Sequence, residues 1–246
     1  MSDLPVALPR VIAHRGASAA APENTRAAFR RAHEDGATWI ECDVKLTADG
    51  RCVVFHDDTL DRTTDGAGPV ADAPLSVVGA LDAGGWFATE FRGEPVPTLE
   101  ETLDLLADLG MGANLEIKPC PGRERETAEA TVAAVRAFGS AVPVLLSSFA
   151  EDSLAAARDA APELPRGLLV EAVPDDWRAR AERLGCVALH VDAAPLTADQ
   201  VAAMRAAGYK VLVWTVNDAA EARRLSGWGV DAIITDVPRK IADALG

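Results

Sequence analysis

No run of about 18 consecutive apolar residues occurs in this sequence, which excludes a membrane-spanning helix on hydropathy grounds. The first residues, Met1-Ser2-Asp3-Leu4-Pro5, offer no basic segment followed by an apolar one, so no export signal is read there. The expectation is a soluble, cytoplasmic protein without stable membrane association. Positive charge is scarce: 24 lysines and arginines stand against 38 aspartates and glutamates, a net charge of −14. Such a surface repels nucleic acid and anionic membranes, so neither is expected as a partner. It would repel an anionic substrate as well, unless a local cluster of cations offsets the field. Cysteine is limited to Cys42, Cys52, Cys120 and Cys186, with no C-x-x-C spacing. Cys42 and Cys52 could face each other across a hairpin, but all four read as reduced core thiols.

What is present is a long chain with ample apolar material. About half of the 246 residues are hydrophobic, which excludes disorder, and α/β barrels often have this length. The stretch from Ile40 to Asp57 reads as a strand, a tight turn at Asp49-Gly50 and a returning strand. Further strands are predicted at 11–13, 39–44, 113–117, 142–147, 167–171, 187–192, 210–215 and 232–235. Amphipathic helices are predicted between them, around 123–138, 151–160, 175–184, 197–207 and 218–226. A helix opens after Pro22-Glu23-Asn24-Thr25, with Asn24 or Thr25 as cap and Phe29 and Ala32 inward. Another begins at Thr98, with Glu101 completing a capping box. Eight strands alternating with helices predict a (β/α)8 barrel of the TIM type, with a β-hairpin after the second strand lying outside the eight. The segment 58–97 is too long for an ordinary barrel loop. Its Leu75, Val78, Leu81, Trp86, Phe87 and Phe91 predict a small packed insert within one domain spanning 1–246.

Barrel sites gather at the C-terminal ends of the strands, and polar residues fall there repeatedly. The first strand ends in His14-Arg15, the second carries Glu41 and Asp43, and the third carries Asn114, Glu116 and Lys118. Later strands end in Ser147-Ser148-Phe149, His190 and Asp192, Trp214 and Asn217, and Thr235-Asp236. Glu41 and Asp43 share one strand face, and two adjacent carboxylates repel unless a cation or a shared proton relieves them. Glu41, Asp43 and Glu116 can supply one oxygen-rich site for a hard divalent ion, Mg2+ or Ca2+. His14 and His56 can serve as general acid and general base near neutral pH. Arg15 and Lys118 offer positive charge to a phosphate. The combination suits cleavage of a phosphate ester. Plainer readings stand beside these. Glu116 and Lys118 can form a structural ion pair, Trp214 can be packing or a pocket wall, and His190 can be a core or rim histidine. His33 reads as solvated, Asn24 and Asn217 as helix caps, and Asp57, Asp58, Asp61 and Arg62 as organisers of the insert.

The motifs His14-Arg15-Gly16, Pro22-Glu23-Asn24-Thr25, Glu41-Cys42-Asp43-Val44, Thr47-Ala48-Asp49-Gly50, Val53-Val54-Phe55-His56-Asp57, Arg62-Thr63-Thr64, Glu116-Ile117-Lys118 and Trp214-Thr215-Val216-Asn217 occur in that order. Together they resemble the glycerophosphodiester phosphodiesterase family, over about residues 11 to 238. The resemblance implies a TIM barrel with a small insert. It also implies metal-dependent hydrolysis of glycerophosphodiesters to sn-glycerol 3-phosphate and an alcohol. It assigns metal binding to Glu41, Asp43 and Glu116, and acid–base work to His14 and His56. Phosphate binding falls to Arg15 and Lys118, support to Glu23 and Asn24, and the pocket wall to Trp214. A kinship with phosphoinositide-type phospholipases C suggests attack by the substrate's own glycerol hydroxyl, and attack by water stays open. A lysophospholipase D or phospholipase C-like enzyme is the alternative within the same superfamily, with Trp86, Phe87 and Phe91 as an approach for acyl chains. A non-catalytic glycerophosphate-binding protein is the alternative outside catalysis. The insert is expected to overhang the barrel mouth and to select headgroups. The alcohol released and the oligomeric state are not legible.

Overall fold

A computed structural model describes residues 8–246. The Met1-Ser2-Asp3-Leu4-Pro5 stretch, read above for export, lies outside the described residues. Strand β1 (Val11–His14) leads to helix α1 (Arg26–Glu34), then to β2 (Trp39–Leu46) and β3 (Cys52–Val54). Helices α2 (Leu75–Val78) and α3 (Leu99–Leu109) follow. Regular alternation then runs through β4 (Gly112–Ile117), α4 (Glu124–Phe138), β5 (Val144–Ser148), α5 (Glu151–Ala160), β6 (Arg166–Val170) and α6 (Trp177–Leu184). It ends with β7 (Ala188–Asp192), α7 (Ala198–Ala206), β8 (Lys210–Trp214), α8 (Ala219–Trp228), β9 (Ala232–Thr235) and α9 (Pro238–Leu245).

Eight of these strands are parallel and form a closed ring, because β1 pairs with both β2 and β9. This is the (β/α)8 barrel that the alternation predicts. β3 is antiparallel to β2, with Val44 opposite Val54, and stands outside the eight. Strands buried on both faces are rich in apolar residues except where a site interrupts them, and alternation assigns the faces. Ile40, Cys42 and Val44 of β2 point outward and pack against Phe29, Leu103 and Val132 of the helices. Trp39 points inward, into a small apolar plug with Ile12, Leu145, Ala188, Leu212 and Ile234. Glu41 and Asp43 share Trp39's face, so they stand above that plug. The four cysteines are buried and free.

Several local expectations need correction. The fifth strand begins at Val144 rather than 142, since Pro143 has no N–H to place in a ladder. Helix α9 was not anticipated; it opens with Pro238 in its first turn and buries Pro238 and Ile241. Thr25 caps α1, its hydroxyl accepting from the Ala28 N–H at 3.3 Å, so Asn24 is not the cap. Asp218, not Asn217, caps α8. The capping box at Thr98 and Glu101 forms as read, and His33 is exposed.

The 58–97 insert has its own small core, in which Leu60, Val70, Val78 and Val96 pack under Val53 and Phe55. Its aromatic side chains do not turn toward the barrel mouth. Trp86, Phe87 and Phe91 stack edge to face on one another at 5.6 Å, and the Trp86 indole N–H donates to the Ala83 carbonyl.

Candidate active site

Strand register assembles the acidic residues. Glu41 lies beside His14 on one side and Asn114 on the other, while Asp43 lies beside Glu116. Each of Glu41, Asp43 and Glu116 offers a carboxylate oxygen, and these lie within 4.8 Å of one another. All three are buried. Burial and the neighbouring Asp43 push Glu41 up to about 8. Glu116 is raised by the same two causes. Asp43 goes the other way, to about 2: burial is outweighed by the charges of Arg15, Lys118 and His56. Near neutral pH Glu41 therefore retains a proton that a cation would displace. A divalent ion fits this donor set: the ligands are hard oxygens, and the Asn114 side-chain oxygen in the same cavity is buried without a hydrogen-bond partner.

Two cations lean over the trio. Lys118 Nζ donates to Glu116 at 3.1 Å and lies 3.6 Å from Asp43. Arg15 Nε lies 3.3 Å from Asp43, and Arg15 Nη1 donates to Glu23 at 2.8 Å. The Arg15 backbone N–H donates to Glu41 at 3.1 Å. Carboxylate charges outweigh burial at both cations and raise their pKa values, so both stay protonated. Arg15 and Asn24 both hold positive φ, 53° and 58°. Such angles are tolerable for asparagine and uncommon for arginine, and each site is held by its surroundings. Gly16 turns the chain directly against α1: a Cβ there would lie 2.6 Å from the Ala28 backbone. Asn24 donates to the Asp43 carboxylate at 2.8 Å and accepts from the Asp43 N–H at 3.3 Å. It braces a carboxylate, which is why a capping role fails.

Each histidine has its own carboxylate. His14 Nδ1 lies 2.6 Å from Asp236, whose oxygens also accept from Ser18 at 2.8 Å and from the Asn217 side chain at 2.5 Å. His14 Nε2 is 3.9 Å from Glu41. Burial pulls the His14 pKa down, but the Asp236 hydrogen bond and the Glu41 charge prevail and raise it. His56 Nδ1 lies 2.6 Å from Asp57. The His56 pKa is lowered by burial, with Arg15 and Lys118 adding to it against Asp43 and Asp57. In both dyads Nδ1 is engaged, which leaves Nε2 as the working nitrogen.

The cavity between these groups has a volume of about 140 Å³. His14, Arg15, Glu41, His56, Glu116 and Lys118 line its polar side, and Phe149, Leu169, Trp214 and Ile234 its apolar side. Phe149 and Trp214 meet edge to face at 5.6 Å. Trp214 is thus a pocket wall. Glu23 and Asn24 stand behind the lining, touching Arg15 and Asp43. No residue of 58–97 lines the cavity, so the expected overhang by Trp86 and Phe87 is not found. His190 is not brought to the site either. It is fully buried in the barrel and held at about 3 by that burial, and its ring fills the space that Gly167 leaves open, 2.3 Å from where a Cβ would stand. The sequence reading had Asp236 only as a polar strand end and Asp57 only as part of the insert. A carboxylate directly following His56 was a usable signal. Asp236 had none, because its partner is 222 residues away.

A family model described as "Glycerophosphoryl diester phosphodiesterase family" matches residues 14–240. A glycerophosphodiester phosphodiesterase from Caldanaerobacter subterraneus subsp. tengcongensis is 41% identical, over 94% of this chain and 95% of the relative. Among solved structures, an Oleispira antarctica phosphodiesterase in complex with the product sn-glycerol-3-phosphate superposes with a TM-score of 0.95 at 45% identity, covering 97% of both chains. A glycerophosphodiester phosphodiesterase from Agrobacterium tumefaciens superposes with a TM-score of 0.80 at 32% identity, covering 96% of this chain and all of the other.

Proposed function

Because this chain belongs to the glycerophosphoryl diester phosphodiesterase family, we propose that it is a metal-dependent enzyme hydrolysing glycerophosphodiesters to sn-glycerol 3-phosphate and an alcohol. The observation that carries the reading is the pair of histidine–carboxylate dyads on one cavity, with two cations and three buried carboxylates between them. Arg15 and Lys118 hold the phosphate, the guanidinium through a two-pronged contact. His56, held neutral, takes the proton of the attacking oxygen, whether that oxygen is the substrate's own glycerol hydroxyl or water. His14, held protonated, gives its proton to the departing alcohol. Glu41, Asp43 and Glu116 would hold Mg2+ or Ca2+, which supplies Lewis-acid stabilisation of charge on the phosphoryl oxygens. Glu23 and Asn24 brace Arg15 and Asp43, and Trp214 walls the alcohol side. The chain acts as one barrel domain with the 58–97 segment as its insert.

A lysophospholipase D would need an apolar approach for acyl chains, and Trp86, Phe87 and Phe91 stand outside the cavity lining. A pure binding protein has no use for two oriented imidazoles. The test is a product assay: glycerol 3-phosphate released from glycerophosphocholine, glycerophosphoethanolamine and a lysophospholipid, with and without chelator. We expect release from the first two, loss on chelation, and recovery with Mg2+ or Ca2+. No product from any diester in the presence of metal would overturn the reading. A preference for the lysophospholipid would replace it with the lysophospholipase D alternative. Full turnover after metal stripping would remove the metal from it.

A further inference from the structure

The 58–97 insert does not line the cavity, yet it reaches the two carboxylates that serve the site from behind. Arg62 donates through Nε and Nη2 to Asp57, at 2.6 and 3.0 Å. It donates through Nη1 and Nη2 to Glu23, at 2.8 and 2.7 Å. Glu23 Oε1 also accepts from Arg15 Nη1 at 2.8 Å, and Asp57 Oδ1 also engages His56 Nδ1 at 2.6 Å. The chain of contacts runs Arg15–Glu23–Arg62–Asp57–His56. Glu23 comes from the loop before α1 and Asp57 from the segment after β3, so the backbone alone does not fix their separation.

We propose that Arg62 is a positioning residue: its guanidinium clamps Glu23 and Asp57 together, so that Arg15 and His56 address one phosphate in a fixed relative geometry. The inference rests on the functional reading above. The chemistry requires a guanidinium here. Two carboxylates brought side by side repel, and a planar fork with five N–H groups can bond both at once, whereas an ammonium is a single point of charge. The clamp's value is geometric. Arg62 is half-exposed, and ion pairs at such positions add little to folding stability. Misplacing a base or a phosphate clamp by a fraction of an ångström, by contrast, acts directly on rate. The Arg62-Thr63-Thr64 motif then does more than shape the insert.

A double-mutant cycle on the metal-loaded enzyme tests this. The substrate is a nitrophenyl ester of glycerol phosphate, which keeps weak variants measurable. Arg62→Gln should lower kcat/KM on the order of 10- to 100-fold, the range found when a supporting partner of a site residue is removed. Arg62→Lys should restore little of it, and the thermal midpoint should stay within a few degrees. In a His56→Ala background the kcat part of the Arg62→Gln effect should vanish, leaving only a rise in KM conveyed through Arg15. Asp57→Asn, which cuts the same link at its other end, should not add to Arg62→Gln in kcat. Full multiplication of the effects in the His56→Ala background, or full rescue by Arg62→Lys, would show a role independent of positioning. So would wild-type rates in Arg62→Gln while His56→Ala is crippled; that result leaves the functional reading intact. Absence of turnover in the wild-type enzyme, or full activity in His56→Ala, strikes the functional reading itself and this inference with it.

Discussion

A histidine's role is set by what holds its other nitrogen, and here the two histidines are held in unlike surroundings. Asp236 and Glu41 favour the imidazolium at His14, while burial, Arg15 and Lys118 favour neutral imidazole at His56. The signs give the pH profile. His14, shifted above the ordinary 6.5, loses its proton only on the alkaline side, and His56, shifted below it, gains one only on the acid side. We expect a bell-shaped rate with its plateau straddling that value. His14→Ala should erase the alkaline limb and His56→Ala the acid limb, each at a cost on the order of 10²-fold or more. A nitrophenyl leaving group should rescue His14→Ala alone; rescue of His56→Ala instead would exchange the two roles. Arg15 shows the same dependence on fine geometry. Arg15→Lys keeps the charge but loses the fork and the bond to Glu23. A fall of at least about tenfold in kcat/KM is expected, roughly one charge-assisted hydrogen bond. Unchanged kinetics in that variant would place Arg15 outside the phosphate contact.

At the scale of elements, the turn after β1 carries the most consequence in the fewest residues. Gly16 has φ of +84° and sits against the α1 backbone. Gly16→Ala should therefore destabilise by more than the roughly 1–2 kcal/mol of the left-handed backbone alone. Gly36→Ala is the control, since Gly36 has φ of +87° with nothing within 4 Å. Thermal midpoints of the two variants should differ by several degrees, the Gly16 variant being the lower, and equal midpoints would mean that the loop yields freely. Elements were also what the sequence expressed best. An alternation such as Ala113-Asn114-Leu115-Glu116-Ile117 announces a strand, and Asp49-Gly50 announces a hairpin, because those signals are local. Thr98 and Glu101 were legible as a capping box for the same reason. The capping readings of Asn24 and Asn217 fail, and Asp236 carries no role in the sequence reading, because their partners lie 19, 18 to 19 and 222 positions away. Trp86 and Phe87 could be read as packed, but a hydrophobic pattern does not say against what; they pack on each other and not over the mouth.

For the molecule as a whole, the barrel interior keeps the His190 imidazole out of water. His190 is neutral in the fold, with its pKa near 3 against 6.5 in an open chain. Since the unfolded state takes up the proton first, stability is full above pH 6.5 and declines as pH falls toward 3. At pH 5 the loss amounts to about 2 kcal/mol. His190→Leu should remove that component, so the gap in urea midpoint between pH 7 and pH 5 should shrink; an unchanged gap would mean that His190 is not a source of acid sensitivity. The ring closure that buries His190 also bears on how the enzyme comes into being. Arg15, Glu41, Asp43, His56, Glu116 and Lys118 are all added in the first half of synthesis, but His14 waits for Asp236, 222 residues later. At roughly 5–20 residues per second that interval is ten seconds or more. Through the second half of it the growing polypeptide carries most of the proposed catalytic side chains but lacks Asp236, the carboxylate on His14 Nδ1. A ribosome stalled before β9 should display a chain that releases no glycerol 3-phosphate, so that the last strand acts as the switch by which translation turns the enzyme on.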